Sequence, residues 1–149
     1  MKKVISIFLF LFITGCGFKP IFSSSETNFS INKIEYKNEL GKKIYNNLKH
    51  FINSERKKIN YDLVLVSKEK KIISLKDKKG DAASFRLSII IDLLILEDDK
   101  VKIEKTFEEK FDYNNNSKKF ELSRYEDEIR NAMLDKISGE IILELYTIQ

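Results

Sequence analysis

The sequence is poor in the residues from which reactive sites are most often built. It contains one cysteine, one histidine, one proline and no tryptophan among 149 residues. The histidine, His50, falls beside Lys49 on a predicted surface helix, so we expect neither a histidine-based catalytic triad nor a multi-histidine metal site. The cysteine, Cys16, has no partner for an intrachain disulfide.

Other catalytic patterns are missing as well. Gly80 stands alone, without the glycine-rich loop that holds phosphate groups. Two pairs of adjacent acids, Asp98-Asp99 and Glu108-Glu109, fall in a turn and on a strand, where neighbouring side chains point in different directions. We therefore expect no catalytic residues, no metal and no cofactor. A small periplasmic hydrolase is the enzyme alternative, and its nucleophile would be a serine, a threonine or a carboxylate.

The charge balance argues against nucleic acid as a partner. The chain has 27 basic and 23 acidic residues and a net charge of +4, which gives a pI near 9.0. Charges of both signs are interleaved along the chain instead of forming a basic patch. This distribution predicts a mixed, solvated surface.

The N-terminus has the pattern of an export signal. Lys2 and Lys3 precede an apolar run of about ten residues from Val4 to Ile13, which is too short to cross a bilayer as a helix. The next residues, Ile-Thr-Gly-Cys at 13–16, resemble the lipobox of bacterial lipoproteins. We expect cleavage before Cys16 and lipidation of that cysteine.

Several acyl chains on one cysteine anchor a protein stably, whereas a single chain does not. Gly17 follows the cysteine in place of the aspartate that resembles an inner-membrane retention signal. The expected location is the periplasmic face of the outer membrane. The predicted organisation is a signal peptide at 1–15, a lipidated cysteine and tether at 16–28, and a single domain at 29–149.

Hydrophobic periodicity predicts the elements of that domain. A strand over 29–36 is followed by a helix over 39–54, capped by Asn38, and by a second strand over 61–67. A lysine-rich segment then runs to Lys79. A last helix is predicted from eight residues at helical spacing: Leu122, Tyr125, Ile129, Ala132, Met133, Ile137, Ile141 and Leu145.

Two long strands between them have a period of two. In the first, six odd-numbered residues are apolar, namely Phe85, Leu87, Ile89, Ile91, Leu93 and Ile95; in the second, the inward set is Val101, Ile103, Phe107, Phe111 and Tyr113. Lys105 and Glu109 interrupt that inward set, and their placement stays open. Joining the two sets on one face requires a loop of odd length or a bulge near residues 97–100.

The order β-α-β-β-β-α predicts an α+β fold, a two-layer sandwich with two helices on one face of a four-stranded mixed sheet. The other face would carry three cations, Arg86, Lys102 and Lys110, beside aliphatic residues that include Ile90 and Leu94. Such a mixture suits contact with lipopolysaccharide or with a barrel wall. Alternatively, this face packs against the 68–79 segment or merely tolerates scattered apolar residues.

The start of the mature chain, Cys-Gly-Phe-Lys-Pro-Ile-Phe at 16–22, resembles the start of the LptE family in its alphaproteobacterial form. The order of elements is also similar over nearly the whole mature chain, including 40–48 in the first helix and 61–65 in the second strand. The sequence departs from the family at Ile21-Phe22, where Leu-Tyr is usual, and in a last helix poor in alanine.

The resemblance implies a non-enzymatic outer-membrane lipoprotein. Members of this family plug an LptD-type β-barrel, assist its assembly and help to deliver lipopolysaccharide to the outer leaflet. The implied partners are that barrel, lipopolysaccharide and the membrane that holds the lipid anchor. The alternative is a lipoprotein subunit of another envelope assembly or secretion machine.

Overall fold

The computed structural model describes residues 28–52 and 57–149. The predicted signal peptide, Cys16 and the tether up to residue 27 lie outside these ranges. The elements are β1 (Phe29–Glu35), α1 (Glu39–Leu48), a 3-10 turn (Lys49–Phe51), β2 (Ile59–Lys76), β3 (Ala82–Glu97), β4 (Lys100–Asn114) and α2 (Lys119–Thr147). The predicted order and the α+β class are confirmed.

The four strands form one mixed sheet in the order β1-β2-β3-β4. β1 and β2 are parallel and are joined through α1, while β2, β3 and β4 form two consecutive antiparallel hairpins. Helices α1 and α2 pack against each other and against the same face of the sheet. The result is the predicted two-layer sandwich, with its core between the helices and the sheet.

The central strand β3 supplies the middle of the core. Its odd-numbered residues from Leu87 to Ile95 are at most 1% exposed, as the period of two predicts. They pack in one cluster with α1 and with the buried stripe of α2, which is formed by Leu122, Ile129, Met133, Leu134, Ile137, Ile141 and Leu145. Tyr125 and Ala132, which were predicted to belong to that stripe, are exposed.

Asn38 caps α1, as predicted, because its side chain accepts a hydrogen bond from the Gly41 amide at 3.1 Å. The helix ends at Leu48, so the predicted extension to residue 54 is wrong. Ile52 is already extended and bridges to Ile31 of β1, and the four residues after it lie outside the described ranges. His50 is exposed in the 3-10 turn, which confirms its surface placement.

The lysine-rich segment continues β2 to Lys76 instead of forming a separate cover. Its residues pair with β3 down to the Lys76↔Ala82 pair, so they lie in the plane of the sheet and cannot lie across it. Ile72, Ile73 and Leu75 are exposed there, at 41 to 60%. Four charged residues in a row at 68–71 and two adjacent isoleucines at 72–73 break the period of two, so the sequence did not predict this part of the strand.

The β3–β4 connection combines a tight turn with a bulge. Asp98 and Asp99 both have positive φ, 51° and 60°, as a two-residue type I′ hairpin turn requires. The pairing then jumps from Leu96↔Val101 to Ile95↔Ile103, which leaves Lys102 as the extra residue. Val101 therefore lies opposite Leu96 and is 59% exposed, so its predicted inward placement is wrong.

Farther along β4, the inward prediction holds for Ile103, Phe107 and Tyr113, which pack against or within the core. Phe111 lies on the helix side of the sheet but is 42% exposed, because β4 is the last strand and α2 covers it only in part. The edge of the sheet is thus less completely buried than the sequence pattern suggested.

Candidate interaction surface of the sheet

The face of the sheet turned away from α1 and α2 is called the open face below. Among the described residues, no helix or loop packs across it. It is centred on the even-numbered residues of β3, which are Arg86, Ser88, Ile90, Asp92, Leu94 and Leu96. Side chains of β2 and β4 flank them in register.

Arg86 is held by a carboxylate on the neighbouring strand. Its guanidinium donates two hydrogen bonds to Asp112, at 2.9 Å and 2.8 Å, in the bidentate geometry that suits this pair. The hydrogen bond raises the pKa of Arg86 and lowers the pKa of Asp112. A phosphate that binds Arg86 must share it with this carboxylate.

Lys110 is also paired on the open face. Its ammonium lies 2.9 Å from Glu108, two residues earlier on β4, and both side chains are largely exposed. Lys68 and Asp92 make a third, longer pair at 3.4 Å, and Thr106 donates a hydrogen bond to the same aspartate. The open face is therefore close to charge-balanced, and it is not a positive patch.

The apolar residues of the open face alternate with these pairs. Ile90 and Leu94 are half-buried, with Leu94 opposite Val64 of β2 and Ile90 between Lys68 and Glu108. Val66 adds an exposed side chain beside them, at 42%. Together with Ile72, these residues give the surface an apolar content that the sequence prediction, limited to β3, underestimated.

Lys102 does not share the open face with Arg86 and Lys110, so its predicted placement is wrong. Its ammonium contacts the hydroxyl of Tyr61, at 3.5 Å, and Glu97, at 2.5 Å. Tyr61 is fully buried on the helix side, and its own hydroxyl donates to the carbonyl of Ile148 near the C-terminus. The bulge at Lys102 turns the side chain toward the helix layer, which simple alternation cannot predict.

Lys105 and Glu109 lie on the helix side, where each makes an ion pair with α2. Lys105 contacts Glu144, and Glu109 lies 2.6 Å from Lys136. Glu144 and Glu109 are mostly covered, with side chains 16% and 18% exposed. The two charges that interrupt the inward apolar pattern of β4 therefore position the edge strand against the helix.

A second set of polar contacts links α2 to the far half of the sheet. Glu126 accepts hydrogen bonds from Lys71 and from the hydroxyl of Tyr113, at 2.8 Å for the tyrosine. Burial alone would raise the pKa of Glu126, but these hydrogen bonds outweigh it and lower the pKa. Burial and the neighbouring carboxylate raise the pKa of Tyr113.

Arg130 continues these contacts with a bidentate pair to Glu69 of β2, at 2.7 Å and 3.0 Å. The hydrogen bonds to Glu69 raise the pKa of Arg130 above the ordinary arginine value. The Lys71–Glu126 and Arg130–Glu69 pairs could not be predicted from local patterns, because their members are 55 and 61 positions apart in the sequence. They fasten the helix to the sheet.

The architecture matches solved structures of bacterial lipoproteins. The chain shares their fold. Rare lipoprotein B from Shewanella oneidensis is 14% identical, with a TM-score of 0.62 over 80% of this chain and 93% of that one. Lipoprotein B from Nitrosomonas europaea is 13% identical, with a TM-score of 0.64 over 87% and 90%. A minor lipoprotein from Acinetobacter baumannii is 14% identical, with a TM-score of 0.58 over 80% and 90%.

No protein-family model and no curated protein matches the sequence. In the part of the chain that the structure describes, no cluster of histidine, cysteine and acidic side chains is arranged to hold a metal ion. No helix in residues 28–52 and 57–149 is long and apolar enough to cross a membrane. The comparisons therefore establish the fold, and the function rests on the proposal that follows.

Proposed function

We propose that this protein is a non-enzymatic outer-membrane lipoprotein, anchored through Cys16 on the periplasmic side, that plugs an LptD-type β-barrel and helps to deliver lipopolysaccharide. The observation that carries this proposal is that the LptE-like start of the mature chain precedes a domain with the fold of bacterial lipoproteins, and the match covers 80% or more of the whole chain. The resemblance supports the LptE family, and the fold supports the broader class of bacterial lipoproteins.

The open face is the surface we propose for contact with the barrel wall or with lipopolysaccharide. Half-buried Ile90 and Leu94 supply apolar contact for acyl chains or for a protein wall. Arg86 and Lys110 supply cations whose carboxylate partners are exposed, so a phosphate can reach each cation and share it with its partner. Lys102 is left out of this surface because it points to the helix layer.

The partner is tested by purifying the full-length lipoprotein from envelopes of its own bacterium in mild detergent. A large β-barrel that exports lipopolysaccharide should be the chief co-purifying protein. Recovery of a different envelope machine in its place supports the alternative role and overturns this one. Replacing Cys16 with alanine should abolish incorporation of labelled palmitate, and continued labelling of that variant would place the anchor elsewhere.

The surface is tested with matched charge reversals. Arg86→Glu should weaken lipopolysaccharide binding at low salt, where electrostatic attraction is least screened, and should leave the fold intact. Lys102→Glu is the control, because it changes the same charge at a position outside the open face. Equal binding by the Arg86 variant and the wild type, or equal loss in both variants, would remove Arg86 from the site.

A further inference from the structure

β4 ends the sheet with a long unpaired edge. Among the described residues, no strand pairs with the outer side of its 15 residues. An exposed strand edge presents a row of N–H and C=O groups that another strand can bond. The direction of those groups and the order of side chains along β4 together define which strand would fit.

The pairing of β4 with β3 determines which residues of β4 direct their backbone N–H and C=O groups toward β3 and which direct them outward. The Asn115 amide donates to the Ala83 carbonyl at 2.9 Å, and the register continues without a shift to the Ile95↔Ile103 pair. Odd-numbered residues of β4 therefore direct their backbone groups toward β3, and even-numbered residues direct theirs outward. An antiparallel partner must place its own outward-directed residues opposite the even-numbered positions 104–112.

We propose that two copies of this chain pair through β4, antiparallel, about a two-fold axis at Phe107. The even-numbered residues then oppose one another as the backbone requires. In this register Glu104 opposes Lys110 of the second copy, and Lys105 opposes Glu109. Each of these opposite-charge pairs occurs twice by symmetry, and opposite charges across strands are favourable.

The neighbouring registers are unfavourable because each one opposes like charges. An axis at Thr106 brings Glu104 opposite Glu108, and an axis at Glu108 brings that residue opposite itself. Axes at Lys105 and Glu109 likewise oppose identical charges. An axis that passes between two residues places odd-numbered positions opposite even-numbered ones. The backbone hydrogen bonds are then lost, because only even-numbered residues direct their N–H and C=O groups outward. Of the five residue-centred axes from 105 to 109, only Phe107 avoids these conflicts.

The surroundings of the edge fit the same partner. On the helix side, a groove between β4 and α2 places Leu143, which is 53% exposed, beside Phe107 at the proposed axis. A second, apolar groove is lined by Phe111 and Tyr125, which are 42% and 45% exposed. In the proposed register Phe111 opposes Ile103 of the second copy, so pairing covers apolar surface that a single copy leaves in water.

The charged side chains of β4 that would form the pairs between copies can do so without losing strong contacts within one copy. Glu104 has no ion-pair partner within 28–52 and 57–149, and Lys110 makes only a solvent-exposed pair with Glu108, which is worth little. Lys105 and Glu109 keep their contacts with α2, so the second copy adds a further opposite charge to each. The proposal stands on this edge alone and does not depend on the barrel as partner.

The register is tested by disulfide cross-linking of the full-length chain in cells that export it. Thr106 and Glu108 oppose each other in the proposed dimer as a hydrogen-bonded pair with about 5.5 Å between Cα atoms, which suits a disulfide. Thr106→Cys with Glu108→Cys should give a dimer on non-reducing gels. Thr106→Cys with Lys110→Cys, which requires the axis at Glu108, should not, and each single variant controls for pairing with Cys16.

Charge exchange tests the specificity of the pairing. In the cross-linking background, Glu104→Lys should lower the dimer yield about tenfold, since two opposite-charge pairs become two like-charge pairs. Adding Lys110→Glu should restore the yield, because the exchanged charges are again opposite. A protein whose β4 was merely damaged by the first substitution would not be rescued by the second.

Equal cross-linking by both cysteine pairs, failure of the rescue, or a cross-link to a different protein would overturn the proposal. Light scattering of the purified full chain in detergent supplies a readout free of cysteine substitutions. A dimer that weakens with Glu104→Lys and recovers with the exchange supports the pairing. A monomer at all concentrations, or a dimer indifferent to both substitutions, overturns it.

Discussion

Alanine substitutions at two adjacent isoleucines in β3 can compare how well the two faces of the sheet are covered. Ile91 is fully buried beneath the helices, whereas Ile90 is half-buried on the open face. Replacing Ile91 with alanine removes three buried carbons, worth about 2.4 kcal/mol at about 0.8 kcal/mol each, and leaves a cavity that raises the cost to as much as about 5 kcal/mol. This is a large part of the roughly 5–15 kcal/mol that stabilises a typical domain.

Ile90→Ala is the matched control. It makes the same chemical change one residue away in the same strand, so the loss of a β-branched residue from a strand affects both variants alike. Because its side chain lies between Lys68 and Glu108 and keeps contact with water, we expect a loss of about 1 kcal/mol or less. The difference between the variants isolates burial against the helices.

The assay is urea unfolding of the chain from residue 17 onward, followed by circular dichroism. With a slope of about 1–3 kcal/mol per molar urea, Ile91→Ala should lower the midpoint by about 1 M or more, and Ile90→Ala by much less. Equal losses at the two sites would refute the assignment of faces. A large loss at Ile90 alone would mean that the open face is the covered one.

Two further predictions concern particular contacts. Gly41→Ala should destabilise the domain by about 1–3 kcal/mol, seen as a lower thermal midpoint, because an added Cβ would lie 2.7 Å from the Cβ of Tyr36; unchanged stability would contradict this close approach. Glu126→Gln should flatten the loss of stability in acid. The folded-state pKa of Glu126 is lowered, so its stabilisation is present above the ordinary glutamate pKa of 4.5 and is lost as the pH falls through the folded value. Thermal midpoints across that pH range check this, and parallel curves for variant and wild type would exclude the contribution.

Much of the fold could be predicted from the sequence because periodicity reports which face of an element is buried. The odd-numbered apolar residues of β3 are all directed to the core, since a central strand covered by helices on one side keeps a strict period of two. The same reasoning failed near the ends of elements. The bulge at Lys102 shifts the alternation by one residue, and no local feature distinguishes the bulge from a longer turn.

The candidate surface was predicted only in part. Alternation placed Arg86, Lys110, Ile90 and Leu94 on one face, and the strand register confirms that placement. Alternation could not show that Asp112 and Glu108 pair with the two cations, because the first pairing depends on the register between β3 and β4 and the second on the rotamers of exposed side chains. Contact of this face with lipopolysaccharide stays a prediction.

The charges of β4 explain how an edge strand can be both protected and selective. Charged side chains along an edge normally discourage unwanted pairing, and β4 carries them on both faces. On the helix side, Lys105 and Glu109 are held by α2, so their positions are fixed before any partner arrives. Fixed charges of alternating sign repel a strand that places like charges opposite them. They attract a strand that places opposite charges at the same positions. The distribution that protects the edge against most strands is therefore the one that would favour a second copy of β4 in a single register.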